Sequence, residues 1–512
     1  MKGNTQGYRR DSVSNTLWEN IQIPEYQNIK SDNYECDVLI IGAGITGLTT
    51  ALFLQQQKKK VIIAEAYNVG FGTSGGTSAH INTFFDTTYP EIVSKFGEDA
   101  AKTIAKCGEE AISIIKTFVS ENKIDCDLEF KTGYLFSENE KETSQLNDIF
   151  ERSERAGVSV RNSETNGVPI PFISALEFPE QGQFHPLKYL KGLADAFVDG
   201  GGTILTNTHI NDLSHEDERF TALSGPKRIY AADVIYATHI PPGVNLLSFR
   251  CAPYRSYVLG VTLKNERDYP DCLVYDMQEP YHYIRTHEVD GEKVLLVGGE
   301  DHKTGSGDPE EAINNLKAYI DKYFNGAKTK FSWSSQYYVP ADGLPYIGPM
   351  PLGNARVYIA TGFNGNGLTF GTIAGKILAD QIAGKLNSYS ELFDPSRLKP
   401  IAGFSSFVEE NASVAYHFVA DRFGIETLEA FKDMESGTGG VKEFKGEKLA
   451  VYKDEKGKIH ALSPVCTHAG CIVNFNAAEV SWDCPCHGGR FDIYGNILNG
   501  PPRKPLEEIK IG

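Results

Sequence analysis

The sequence predicts an α/β domain built on a parallel sheet, an antiparallel sheet inserted into it, and a small all-β domain at the C-terminus. Three observations carry that expectation. A strand, glycine turn, helix and second strand run from Cys36 to Glu65; the stretch Pro253 to Gly299 alternates like antiparallel strands; and cysteines and histidines crowd among short strand patterns beyond Glu429. The length of 512 residues suits two to three domains. A hydrophobic content of 41%, with 28 Phe and 25 Tyr, describes a chain that folds rather than one that stays disordered. The formal charge of −17 argues against a nucleic-acid partner. Arg9-Arg10 is followed by DSVSNTLWEN, too polar for a secretory signal, and no segment reads as a transmembrane span, so the expected location is cytoplasmic.

Taken in order, residues 1–35 are a polar lead-in, in which Trp18 and Ile21-Gln22-Ile23-Pro24 are the candidates for docking on the body. Val38 to Ile41 is an apolar run suited to a buried parallel strand. It breaks at Gly42-Ala43-Gly44-Ile45-Thr46-Gly47 and resumes as the helix Leu48 to Gln57, and a second strand, Val61 to Ala64, ends on Glu65. This is the G-x-G-x-x-G dinucleotide fingerprint in its βαβ context. Gly42 makes the tight turn, Gly44 admits a pyrophosphate to the backbone, and Gly47 lets helix and strand pack. The helix N-terminus offers N–H groups to phosphate, and Glu65 is placed to accept ribose hydroxyls. The loop Gly70 to Ser78, containing Thr73 and Ser74, is dense in small and hydroxyl residues, as suits backbone lying against a ligand.

Residues 91–160 carry helical patterning, as in Ala101 to Val119, with a short strand at Gly133 to Phe136. A helix over Leu187 to Val198 and a strand over Thr203 to Leu205 follow, then Asp233 to His239 as a strand entering a turn. Tyr257 to Leu263, Tyr281 to Arg285 and Val294 to Val297 alternate and predict a substrate-facing antiparallel sheet. Asp342-Gly343-Leu344-Pro345-Tyr346-Ile347-Gly348 is a turn-rich loop, and the strand Val357 to Ala360 leads through Thr361-Gly362-Phe363-Asn364-Gly365-Asn366-Gly367 into a helix, Leu368 to Ile382.

These motifs, in this order, resemble the glycine oxidase/D-amino-acid oxidase superfamily of FAD enzymes, over about residues 36–390. The resemblance implies an FAD-binding Rossmann-type domain with an inserted substrate sheet. Gly42, Gly44, Gly47, Glu65, Thr73 and Ser74 would hold the nucleotide end, and Gly362, Asn364, Gly365 and Gly367 would approach the isoalloxazine. On this reading the oxidoreductase spans 36–400, with nucleotide-binding segments at 36–90, 187–250 and 340–390 and the substrate sheet at 251–335. No second G-x-G-x-x-G βαβ unit follows the first, so a bound pyridine-nucleotide donor is not expected.

Residues 401–427 read as a helical linker, and 428–512 as the last domain. Cys466-x-His468 and Cys484-x-x-His487 pair one thiolate with one imidazole twice, which suits a [2Fe–2S] cluster of mixed ligation. Zinc is the alternative for a Cys2His2 set, but its spacings pair Cys with Cys and His with His. The stretch resembles the Rieske domain, which implies Cys466 and Cys484 on one iron, His468 and His487 on the other, and a disulfide between Cys471 and Cys486. Where high-potential members of that family carry Ser and Tyr, this chain has Gly489 and Phe491. Losing both hydroxyl donors places the cluster low in the Rieske range of about −150 to +300 mV.

A hydride-accepting flavin joined to a one-electron cluster predicts an FAD-dependent dehydrogenase of a small-molecule amine or amino acid. Electrons would pass from flavin to cluster and on to an external acceptor: a redox protein, a quinone or O2. The alternatives are an electron-transfer protein serving an oxygenase, and an O2-using oxidase with a structural Rieske domain. His282, Arg285 and Tyr257 are the catalytic candidates, drawn from a β-rich set that also holds Tyr254, Arg255 and His302; Arg285 could clamp a carboxylate. The superfamily's amino-acid oxidases often carry an Arg before the D-G-x-P-x-I-G loop. Tyr337-Tyr338-Val339-Pro340 stands there instead, which leaves amines the better expectation. His80 follows its loop as the flavin-linking His does in dimethylglycine-type relatives, although covalent attachment is not expected.

Overall fold

Val38 to Ile41 are buried on both faces, while the first half of their strand, Asn33–Ile41, alternates exposed and buried. That change of pattern marks where the strand enters the centre of a sheet. A computed structural model describes residues 14–26, 31–397, 434–444 and 447–510; the predicted linker 401–427 lies outside the described residues. Asn33–Ile41 pairs in parallel with Val61–Ala64 and Lys227–Tyr236, and the order across the sheet runs Tyr346–Pro349, Val357–Thr361, Lys227–Tyr236, Asn33–Ile41, Val61–Ala64, Thr203–Leu205. The helix Ile45–Gln56 is buried nearly all round, because it packs against the helices Pro186–Asp199 and Gly367–Ile382 as well as the sheet. Gly371 and Gly375 of the helix Gly367–Ile382 permit that closeness, since a Cβ on them would stand 2.7 Å from Ile45 and 2.6 Å from Thr49.

The second sheet is larger than predicted. Its order is Lys328–Pro340, Cys251–Thr262, Glu292–Lys303, Tyr283–Val289, Leu273–Asp276, Glu129–Ser137, Ser174–Gln183, His80–Ile81. The last three strands come from the first half of the chain. Leu273–Asp276 joins Glu129–Ser137 in parallel, so the sheet is mixed where the two halves meet. Ser174–Gln183 contains Pro179 and Gly182, breakers that hide its strand character from a propensity reading. The lead-in docks as expected of Trp18: the ring is fully buried and its Nε1 donates to Thr77 O at 2.8 Å, in the loop that follows the fingerprint. The C-terminal domain holds two small antiparallel sheets, Gly439–Phe444 with Glu447–Lys453 and Ile459–Leu462, and Asn474–Asn476 through Ile497–Asn499. Among the described residues no helix is long and apolar enough to cross a membrane.

Candidate active site and metal centre

Strand and helix ends of the first sheet converge on one cavity of about 570 Å³. Gly42 turns there with φ +111°, and a Cβ on it would stand 2.5 Å from Ala237 O, so only glycine fits. Gly47 is not exposed to the cavity; a Cβ there would overlap Gly42 O, which makes it the residue that lets helix meet strand. Ser74 Oγ accepts the N–H of Ile45 at 3.1 Å, at the mouth of the helix, and a Cβ on Gly44 would come within 2.9 Å of that oxygen. Glu65 lines the cavity and accepts N–H bonds from Ala43 at 2.8 Å and Tyr67 at 2.9 Å. Thr73 Oγ1 meets His239 Nδ1 and donates to Gln336 O, each at 3.1 Å. At the far end Asn364, Gly365 and Gly367 line the wall, and a Cβ on Gly367 would meet nothing within 4 Å. Gly362, with φ +74°, lies outside the lining and packs on Pro340 and Cys251. A cavity lined by the N-termini of two helices, at Gly44 and Gly367, and by the acid that follows the second strand fits FAD.

The strand parity decides which side chains see that cavity. Tyr281 and Tyr283 line it, and His282, between them, points the other way. There its Nδ1 meets Asp276 Oδ2 at 2.8 Å and its ring stacks on Tyr319 at 3.8 Å. Burial opposes charge on His282, but the Asp276 carboxylate outweighs it and the pKa is raised. Ser256 lines the cavity while Tyr257, next in the strand, bonds His302 Nε2 at 3.0 Å on the opposite face. Arg285 shares the parity of Tyr283 but is sealed beneath the loop: Nη1 donates to Ala79 O at 3.0 Å and the guanidinium lies 5.3 Å from the Trp18 ring centroid. Burial pushes it down to about 9. The three catalytic candidates therefore stand away from the cavity wall, for reasons of alternation and depth.

Other residues line the far end of the cavity. Asp86 lines the cavity and accepts the Gly365 N–H at 2.6 Å; the protein around the cavity desolvates it and raises its pKa. Tyr275, Tyr281, Tyr283 and Tyr337 surround that end, and Tyr337 donates to Asp301 at 2.7 Å. Burial pushes Asp301 up to about 7. His80 lines the same end, and burial followed by the Arg285 charge holds it well below its usual value, hence neutral. A second cavity, of about 380 Å³, shares Asp86, Tyr281 and Tyr337 with the first and reaches Cys486.

In the C-terminal domain Cys466, His468, Cys484 and His487 come together. The His468 and His487 rings are 4.8 Å apart, and all four of their nitrogens are buried without a partner. The two thiols face each other closely enough to share a proton, which raises Cys466 and lowers Cys484. Burial lowers His468 and takes His487 down to about 3, so both imidazoles are neutral. Partnerless neutral imidazoles beside paired thiols fit a Cys2His2 cluster. Cys471 and Cys486 form the disulfide the resemblance implied.

This domain sits on the outer face of the strand Lys328–Pro340. Tyr338 Oη donates to His487 O at 3.0 Å, and Gln336 Nε2 to Gly488 O at 3.0 Å. Next to them Arg255 Nη2 donates to Glu479 at 2.5 Å, Glu479 also pairs with Arg490 and Ser334, and Arg490 Nε reaches Asp483 at 3.0 Å. Arg255, considered above for the flavin, is thus a docking residue. It pairs across the sheet with Gln336, as Tyr257 does with Ser334 and Pro253 with Tyr338, so all six share the face turned to the cluster domain.

Comparison with known proteins agrees with this geometry. Residues 37–381 match the FAD dependent oxidoreductase family and 427–510 the Rieske [2Fe-2S] domain. A putative Rieske 2Fe-2S iron-sulfur protein, YhfW, of Bacillus subtilis (strain 168) is 33% identical over 97% of each chain. Gamma-glutamylputrescine oxidoreductase of Escherichia coli (strain K12) is 24% identical over 77% of this chain and 95% of its own. Among solved structures, glycine oxidase from Geobacillus kaustophilus superposes with a TM-score of 0.60 at 18% identity, covering 71% of this chain and 99% of its own. The chain binds FAD in the first domain and a [2Fe–2S] cluster in the last, and it belongs to the FAD dependent oxidoreductases, with a Rieske domain at its C-terminal end.

Proposed function

We propose that the protein oxidises an amine or amino acid at its C–N bond and passes the electrons through the cluster to an external acceptor. The observation that carries this reading is the contact of Tyr338. Its hydroxyl bonds the backbone of the cluster ligand His487, and its ring lies edge-on to His239, which lines the flavin cavity, at 4.7 Å. FAD supplies the hydride acceptor, and the cluster relays single electrons.

The chain's own residues would bind and deprotonate the substrate. An ammonium group must lose a proton before the adjacent carbon can release hydride. Asp86, with its pKa raised by desolvation, can attract the cation and accept that proton. The faces of Tyr281, Tyr283 and Tyr337 suit a cation, and Arg503, far from this end, is the one Arg or Lys among the described residues lining the cavity. This favours amines over amino acids, whose carboxylate wants a guanidinium. Loss of hydride leaves an imine, which water hydrolyses to a carbonyl compound and ammonia or a smaller amine. A cytoplasmic location accords with five unpaired, buried thiols at Cys36, Cys107, Cys126, Cys251 and Cys272.

The test is anaerobic reduction with a panel of amines and amino acids, following flavin absorbance and the EPR signal of the reduced cluster. Bleaching by one compound, followed by the cluster signal, is the expected result. Reduction by NADH or a redox protein alone would replace this reading with the electron-transfer one. Stoichiometric peroxide with an oxidised cluster would favour an oxidase.

A further inference from the structure

The nucleotide half of the flavin cavity has a wall that the first domain does not supply. Residues Asn496 to Gly500, Pro502, Arg503 and Pro505 of the cluster domain line it together with Gly42, Gly44 and Glu65. Three bonds seat this tail: Tyr67 Oη donates to Ile497 O, Gly243 N to Pro501 O at 3.0 Å, and Arg503 Nη2 to Pro242 O at 3.1 Å. Tyr67 follows Glu65 by two residues, so the tail covers the ribose and pyrophosphate end, not the end formed by Asn364 to Gly367.

We infer that the tail is part of the FAD site, with Arg503 offsetting the charge of the diphosphate and Asn499 donating a hydrogen bond to the nucleotide half. Two independent observations lead there. Among the described lining residues the acids are Glu65, Asp86 and Asp212, and Arg503 is the one Arg or Lys; a diphosphate entering this cavity meets no other side-chain cation. Asn499 Nδ2 is buried, has no protein partner, and belongs to a residue of the cavity wall. A buried donor without an acceptor costs free energy until a ligand satisfies it. The Arg503 side chain is itself exposed, so its attraction is screened by salt. The consequence is that the two domains are linked by more than electron flow: the flavin site is complete only when the cluster domain is docked.

The test is the affinity of the full-length protein for FAD, read from the fluorescence of released flavin, in Arg503→Ala and Asn499→Leu. The EPR signal of the reduced cluster reports that the last domain remains intact. Each variant is expected to bind FAD roughly tenfold more weakly. Arg503→Ala should also flatten the dependence of that affinity on ionic strength. Affinity within roughly twofold of the unchanged protein for both variants, with the cluster signal retained, overturns the inference. Where a variant loses the cluster signal, Arg503→Gln and Asn499→Ser replace it, and the same two outcomes decide.

Discussion

Asp301 is a carboxyl that its surroundings make weak. Burial lifts it from 3.8 to about 7, against hydrogen bonds from Ser256 and Tyr337 that pull it down. Between those two values the folded protein holds a proton that the unfolded chain has released. Stability contributed by this group is therefore present at acid pH and lost as pH rises through about 7. Asp301→Asn should lose less thermal stability between pH 5 and pH 8 than the unchanged protein, measured as Tm at each pH; equal slopes would rule this carboxyl out as the cause. Phe491 makes a second residue-scale case. It is fully buried in the cluster domain's core, at the position where the resemblance to high-potential Rieske domains implies a tyrosine hydroxyl. Phe491→Tyr should raise the midpoint potential by an amount on the order of tens of millivolts, read by redox titration of the EPR signal. Gly489 offers less room for the same repair. A Cβ there would stand 2.7 Å from the Pro502 ring, so a serine must first displace the tail.

At the scale of elements the strand Lys328–Pro340 does two jobs by alternation. Ser335 and Tyr337 face the flavin cavity, and Ser334, Gln336 and Tyr338 bond the cluster domain, with Gln336 also bordering the cavity. The unexpected Tyr337-Tyr338 pair in place of an arginine takes its meaning from this: one ring goes to each side. The sequence marks the neighbouring strands within Pro253 to Gly299 as β, but neither the strand Lys328–Pro340 nor which parity faces inward. His282 and Tyr257 lie on the parity turned away from the cavity, and Tyr281, Tyr283 and Ser256 line its wall. The ion group of Arg255, Glu479, Arg490 and Asp483 anchors the outer face, wholly buried. Glu479→Ala leaves two buried guanidinium groups short of a carboxylate, and the expected loss is about 3–5 kcal/mol. Denaturant unfolding followed by cluster absorbance checks it, with a change below about 1 kcal/mol counting against the anchor.

Across the whole molecule, the features legible in the sequence were those whose residues lie close together along the chain. The G-x-G-x-x-G unit, the late glycine loop and the two Cys/His pairs each declare their chemistry within a few positions. Asp86 beside Gly365, Arg255 beside Glu479 and Tyr67 beside Ile497 unite distant segments, and no local pattern announces them. The docked arrangement carries an expectation for kinetics. Transfer from reduced flavin to cluster should be first order, unchanged by protein concentration and little affected by added glycerol, in stopped-flow absorbance. A rate that falls in proportion to viscosity would instead mean that the cluster domain must travel. The strand shared by the two sites also has a consequence for descent. A substitution at Ser334, Gln336 or Tyr338 is judged twice, once by the sheet that frames the flavin and once by Glu479, His487 and Gly488 across the interface. Lineages that keep the fusion should therefore change these positions in pairs, and lineages that shed the last domain should let them drift.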